Sequence, residues 1–157
     1  MIDPALFRSV LGRFASGITV VTARDSYGED HGMTVSAFCS VSLDPLLILI
    51  CVERSAVLHG VLAEATQFAV NMLAADQESI SRRFSEQIDD RFDGIGYTRG
   101  ITKSAILEGI LGYLECDIVA RYPGGDHTIY LGQVIAASAQ PGSPLLYYRG
   151  GYAQLER

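Results

Sequence analysis

A chain of 157 residues carrying a formal charge of −6 is long enough to bury one core. Its acidity excludes nucleic acid and anionic membrane as general partners, since both select basic surfaces. Apolar residues make up 48% of it, yet the longest apolar run, Leu46 to Val52, falls well short of the roughly 18 residues of a membrane span, so the surplus is expected in a subunit interface or a ligand cavity.

The first helix is signalled by Asp3 as cap, Pro4 at the first helical position and Leu6, Phe7, Val10, Leu11 and Phe14 at helical spacing, with Gly17 ending it. GITVVTA then reads as a strand, residues 25–32 as a polar hairpin loop and residues 34–43 as one weakly alternating strand. LLILICV reads as a strand buried on both faces. Ser55 is the expected cap of a second helix running through Ala65. FAVNML is a short strand, and Asp76 opens a third helix that ends near Phe84. Residues 89–110 form a glycine-rich, irregular stretch. Three strands close the chain, over 112–121, 128–137 and 145–155, the last broken at Gly150-Gly151. Strands that follow one another directly, or through one short helix, disfavour a doubly wound parallel sheet. The pattern predicts a single mainly β domain over 1–157, an antiparallel barrel with helices packed outside.

Several chemistries are unsupported. GIGYTRG is one residue too long for a dinucleotide fingerprint, puts Arg99 before the closing glycine and follows no strand. P-loop, G-x-S-x-G and zinc spacings are absent, and His31, His59 and His127 show no i,i+4 pairing, so no metal is expected. Cys39, Cys51 and Cys116 lack C-x-x-C spacing and sit in apolar runs, as reduced core thiols do. The first ten residues lack the basic start and apolar centre of a secretory leader, which leaves a cytoplasmic location as the expectation.

Three segments carry candidate chemistry. GMTVSAFCSVSLDP interleaves Thr34, Ser36, Ser40 and Ser42 with apolar residues, which suits either a half-buried strand or a wall against a planar polar ligand. Glu53, Arg54 and Ser55 precede a helix start, where free N–H groups favour a phosphate. YPGGDHTIYLGQV places Gly124, Gly125, Asp126 and His127 at a strand entrance, and a turn has no need of that histidine.

Taken in order, FRSVLGRFASGITVVTA, HGMTVSAFCSVSLDP, ILICV-ERS, FAVNML, SRRF, GGDHTIYLGQV and PLLYYRGGY resemble the flavin reductase family of the FMN-binding split-barrel fold. That family supplies the small reductase component of two-component monooxygenases. The resemblance spans residues 7–155. It implies an antiparallel Greek-key split β-barrel, a homodimer with flavin near the subunit interface, and reduction of FMN or FAD by NADH or NADPH for a partner monooxygenase. By motif, Met33, Thr34, Val35, Ser36, Ala37 and Ser40 would line the isoalloxazine and ribityl chain. Glu53, Arg54 and Ser55 would lie at the flavin phosphate, and Arg83 and Phe84 near the adenosine end of FAD. Gly125, Asp126 and His127 would meet the nicotinamide nucleotide, with His127 as the catalytic-site residue that orients it and Tyr152 nearby. Pro45-Leu46 replaces a frequent proline pair, and the proline often found near Ala105 or Ile106 is missing, which bears on loop shape. A barrel that holds FMN as an electron carrier without turning over NAD(P)H is the alternative.

Overall fold

The computed structural model describes residues 1–156. Helix α1, Pro4–Leu11, starts where Asp3 accepts a hydrogen bond from the Ala5 N–H at 2.9 Å. It stops at Gly12, earlier than expected, and Ser16–Gly17 is strand β1 instead. Leu6, Phe7, Val10 and Leu11 are each more than half exposed, so the apolar stripe of this helix is not buried by its own chain.

Strands β2, Thr19–Arg24, and β3, Asp30–Val35, form a hairpin. The connecting turn is knotted by Asp25, whose Oδ1 accepts the N–H groups of Tyr27 and Glu29. The expected strand over 34–43 breaks at Ser36-Ala37, and β4 runs Phe38–Leu43. Strand β5 is Leu46–Glu53. Its Ile48, Ile50 and Val52 point inward while Leu47, Leu49 and Cys51 are only half-buried. LLILICV is therefore buried on one face, not both.

Helix α2, Val57–Glu64, begins one residue later than Ser55 would place it. The Ala56 N–H closes a tight turn onto the Glu53 carbonyl, and no side chain caps the helix. Strand β6 is Gln67–Met72 and helix α3 is Glu78–Arg83. Gln77, rather than Asp76, adjoins that helix start, with its Oε1 accepting the Ala74 N–H at 2.9 Å. The stretch expected to be irregular contains β7, Tyr97–Arg99, and β8, Ala105–Leu107, and β8 is buried throughout. Strands β9, Gly112–Gly124, and β10, His127–Ala139, make the long hairpin; β11, Leu145–Tyr148, and β12, Gly151–Gln154, follow.

The described residues are mainly β with three short helices. Seven strands lie antiparallel in the order β3-β2-β6-β9-β10-β5-β4. The two edges, β3 and β4, are joined by only two residues, which span roughly 10 Å at full stretch. Covalent reach thus draws the edges together at that end and curls the sheet. Inside the curl, Val21, Ile50, Val52, Phe68, Val70, Cys116 and Tyr130 form one core with Leu58 and Leu62 of α2. On the other face of β2 and β6, Val20, Ala69, Leu73, Phe84, Ile106 and Leu107 form a second. Two cores explain why Thr19 to Ala23 are buried without alternation. Cys116 belongs to the first core, where burial pushes its thiol up to about 12. Cys39 is exposed on β4, contrary to a core role.

Candidate functional site

Strands β9 and β10 are joined by the two residues Gly125 and Asp126, with Gly124 opposite His127 in the ladder. Gly125 has φ +68 while Asp126 does not enter the left-handed region, the pattern of a type II′ hairpin. A Cβ at Gly125 would meet nothing within 4 Å, so glycine is needed there for backbone conformation and not for space. His127 Nδ1 donates to Asp126 Oδ1 at 2.7 Å. That bond, then the charge of His127 and, further down, that of Arg54, hold the Asp126 carboxyl below its usual range.

The turn is moored to the second candidate segment. The Arg54 N–H donates to the Asp126 carbonyl at 2.9 Å, and His127 pairs with Glu53 across the β10–β5 ladder. Glu53-Arg54-Ser55 and Gly125-Asp126-His127, far apart in sequence, are therefore neighbours. Beside them opens a groove of about 610 Å³ whose wall includes Met33, Thr34, Glu53, Ser55 and Phe84.

Strand β3 and helix α3 are sewn together along that groove. Thr34 gives its N–H to the Phe84 carbonyl at 3.1 Å and its hydroxyl to the Ser81 carbonyl at 2.7 Å. Phe84 is fully buried and packs against Gly32, where any Cβ would come within 2.8 Å of its ring. Phe92 meets Phe84 edge-on at 5.1 Å and continues the apolar wall.

The remaining expected residues divide. Val35 turns its side chain into the inner core. Ser36 and Ala37 are exposed at the joint between β3 and β4, and Ser40 is exposed on β4, where it pairs with Ile48; none of the three belongs to the groove wall. Arg83 gives two of its three nitrogens to backbone: Nε to the Arg91 carbonyl at 2.7 Å, Nη2 to the Asp90 and Asp93 carbonyls at 2.7 and 2.9 Å. Tyr152 backs helix α3, with its hydroxyl 2.8 Å from Ser81 Oγ and its ring under the Arg82 guanidinium at 4.8 Å. Ile88, Arg91 and Phe92 line the groove as well and were not anticipated. The available signal was an arginine-aromatic pair, Arg91-Phe92, inside an acidic, glycine-containing stretch.

A small polar cluster, Asp25, Glu29 and His31, has ligand-type atoms within 4.8 Å of one another. Its central carboxylate, that of Asp25, already accepts two N–H groups at Oδ1 and meets His31 Nε2 at 2.8 Å through Oδ2.

Residues 11–156 match the family described as flavin reductase like domain. The chain belongs to this family. The NADH-dependent FAD reductase of Streptomyces globisporus is 42% identical over 154 residues, 95% of this chain and 84% of the relative. The reductase subunit HsaB of a flavin-dependent monooxygenase from Rhodococcus jostii is 36% identical over 156 residues, 99% of this chain and 80% of the relative. A solved NADH:FAD oxidoreductase of Streptomyces globisporus C-1027, in complex with NAD and FAD fragments, superimposes with a TM-score of 0.93 at 40% identity, covering 99% of this chain and 96% of that one. Flavin reductase family membership thus spans nearly the whole chain, including the Glu53-Arg54-Ser55 and Gly125-Asp126-His127 segments.

Proposed function

We propose that this chain is an NAD(P)H:flavin oxidoreductase that passes hydride from NADH, or NADPH, to FMN or FAD and supplies the reduced flavin to a partner monooxygenase. One observation carries the reading. A groove with an apolar wall (Met33, Phe84) and polar positions (Ser55, Arg91) runs beside a rigid, histidine-bearing turn, as two stacked nucleotides require. The donor set fits a flavin nucleotide: flat apolar contacts for a ring, a hydroxyl and a guanidinium for its polar tail. When bound there, the flavin supplies the electron-accepting ring for the hydride.

The protein's own tasks are positioning and exclusion of other poses. Met33, Thr34, Glu53, Arg54, Ser55 and Phe84 would hold the flavin. Gly125 and Asp126 let the nicotinamide nucleotide approach, and His127, fixed by Asp126, orients it. Asp126 keeps the Nδ1 proton in place and so leaves Nε2 as the ring atom that faces a ligand. The acidic balance favours NADH over NADPH.

The curled seven-stranded sheet supports the split-barrel form as one domain over 1–157. Its companion is a homodimer: the bare stripe of Leu6, Phe7, Val10 and Leu11, with exposed Val41 and Leu43 on β4, is apolar surface that a second copy would cover. We place the dimer in the cytoplasm; no helix among the described residues is long and apolar enough to cross a membrane. Mixing the protein with NADH and either FMN or FAD, then following the near-ultraviolet band of NADH, tests the reading. Flavin-dependent loss of the band is expected; retention of flavin with no NADH consumption would leave an electron carrier in its place.

A further inference from the structure

A second cavity, of about 480 Å³, opens between the β2–β3 turn, helix α2, the start of β6 and residues 102–104. No residue assigned above to flavin or nicotinamide lines it, and it shares only His31 and Val57 with the groove. Its size falls within the roughly 300–1,000 Å³ of small-molecule sites, which combine an apolar floor with a few polar groups.

The floor is one side of a helix. Val57, Gly60, Val61 and Glu64 follow at the i, i+3, i+4, i+7 spacing of a single face of α2. Val57 is 72% exposed, so its own chain does not cover it. Gly60 stands at the centre of that face, where glycine weakens a helix relative to alanine. Neither a left-handed φ nor a crowding neighbour accounts for it: Gly60 is helical, and nothing lies within 4 Å of where its Cβ would stand. The bare backbone leaves a flat seat beside Val57 and Val61 on which a ring can lie.

Ser104 supplies a polar partner. It is only 2% exposed, and its N–H is held by Thr102 Oγ1 at 3.3 Å. Its hydroxyl, the polar end of a residue that lines the cavity, has no hydrogen-bond partner among the described residues. Such a group gains from a ligand that meets it. Gln67, which also lines the cavity, gives its Nε2 to Asp117 Oδ1 at 2.8 Å and keeps its Oε1 as an acceptor.

Charge narrows the choice of ligand. Arg24 gives Nε and Nη2 to the Gly28 carbonyl at 3.1 and 2.6 Å, and Asp25 is engaged with His31. Glu64 has no ion pair among the described residues, so the cavity disfavours an anion.

We infer that this cavity binds a neutral, planar aromatic molecule bearing a hydroxyl or amino group, seated on Gly60 with its polar edge toward Ser104 and Gln67. The site is separate from the cofactor groove, and the inference stands whether or not the chain reduces flavin.

The probe is 2-naphthol, two fused rings with one hydroxyl, whose own emission reports binding in a chain without tryptophan. Wild type should bind it about tenfold or more tighter than anionic 2-naphthoate or the puckered, saturated 2-decalol, both read by displacement of the probe. Gly60→Leu should cut 2-naphthol affinity about tenfold or more by filling the seat. Ser104→Ala should cut it about two- to tenfold, the scale of one hydrogen bond between neutral groups. Gly60→Ala should weaken 2-naphthol while its urea midpoint stays at or above that of wild type, a split that a purely structural glycine would not give. It also serves as the test should Gly60→Leu not fold. FMN and FAD affinities, measured without the probe, should be unchanged in all three variants. The inference is overturned if wild type does not bind 2-naphthol, if 2-naphthoate or 2-decalol binds as tightly, or if the Gly60 variants keep wild-type affinity. It is overturned equally if Gly60→Leu weakens FAD but not FMN, since the cavity would then belong to the far end of the cofactor. Failure of wild type to consume NADH with flavin present sinks the reductase reading alone.

Discussion

Two segments, one lining the groove and one moored beside it through Glu53 and Arg54, are built on opposite principles. The β9–β10 turn holds its shape through neighbours: Gly125 at φ +68, Asp126 bonded to the adjacent His127, and one mooring bond from Arg54. Residues 85–105 hold theirs chiefly through distant partners. Arg83 and Arg91 pin carbonyls across the segment and on β3, Thr22 gives its hydroxyl to the Ala105 carbonyl at 2.7 Å, and Glu115 reaches in from β9. The turn is exposed and replaceable in energy but not in chemistry; the segment is the reverse. Damage to the segment should therefore cost stability, and damage to the turn should cost function.

The largest effect is expected at the wall between the two. Phe84→Ala removes a fully buried ring from the second core and should destabilise the chain by about 3–5 kcal/mol, read from a shifted urea midpoint. A midpoint equal to wild type would contradict the packing described here.

Glu115 comes next. It is buried, and its carboxylate accepts the Thr102 hydroxyl at 2.6 Å, the Thr102 N–H at 3.0 Å and the Ile101 N–H at 3.2 Å. Glu115→Gln keeps the shape but turns an amide donor toward a group that also donates. A loss of about 2 kcal/mol is expected, with protease cleavage moving into residues 100–104. Gly100→Ala should act on the same contact, since its Cβ would fall 2.3 Å from the carboxylate oxygens.

At the turn the balance reverses. His127→Ala should leave the urea midpoint within error of wild type and raise the KM for NADH about tenfold, the scale of one good hydrogen bond. An unchanged KM and turnover would remove His127 from the site. The pH profile follows from Asp126. Its carboxyl is held below the ordinary range, so the bond to His127 persists at every pH above the ordinary carboxylate value and is lost as pH falls through the lowered one. NADH binding should therefore have an acid limb set below the usual carboxylate range, and Asp126→Asn should abolish that limb.

The smallest effect concerns the cysteines. Alkylation at mildly alkaline pH, followed by mass spectrometry, should modify exposed Cys39 first. Cys51 should be slower, since burial and then the nearby Cys39 raise its pKa, and Cys116 should stay intact until the chain unfolds. Early labelling of Cys116 would mean that the inner core opens.

The same contrast explains what could be read from the sequence. Asp3-Pro4, the β2–β3 hairpin and the Gly-Asp-His turn are local devices, with cause and effect within a few residues. The existence of the main strands along the chain followed from apolar runs, but the one-sided burial of β5 did not. Ser55 had the right chemistry for a cap, yet the bonds from Arg54 to Asp126 and from Ala56 to Glu53 fold that corner more tightly and move the helix start past it. β8 was missed because a three-residue buried strand has no period to detect, and its partners lie in β2, β6 and β7. The family motif carries Arg83 toward the adenosine end of FAD, and the fold bonds its Nε and Nη2 to backbone carbonyls. Only the folded chain places Arg91 in the wall and Arg83 behind it.

The central claim is that the site fixes the nicotinamide ring in one orientation against the flavin. Turnover with NADH carrying deuterium on either one or the other face of C4, followed by mass analysis of the NAD⁺ formed, tests it directly. Loss of deuterium from one face only is the predicted result. Loss from both faces in comparable amounts would show that no single pose is held, and would contradict the account.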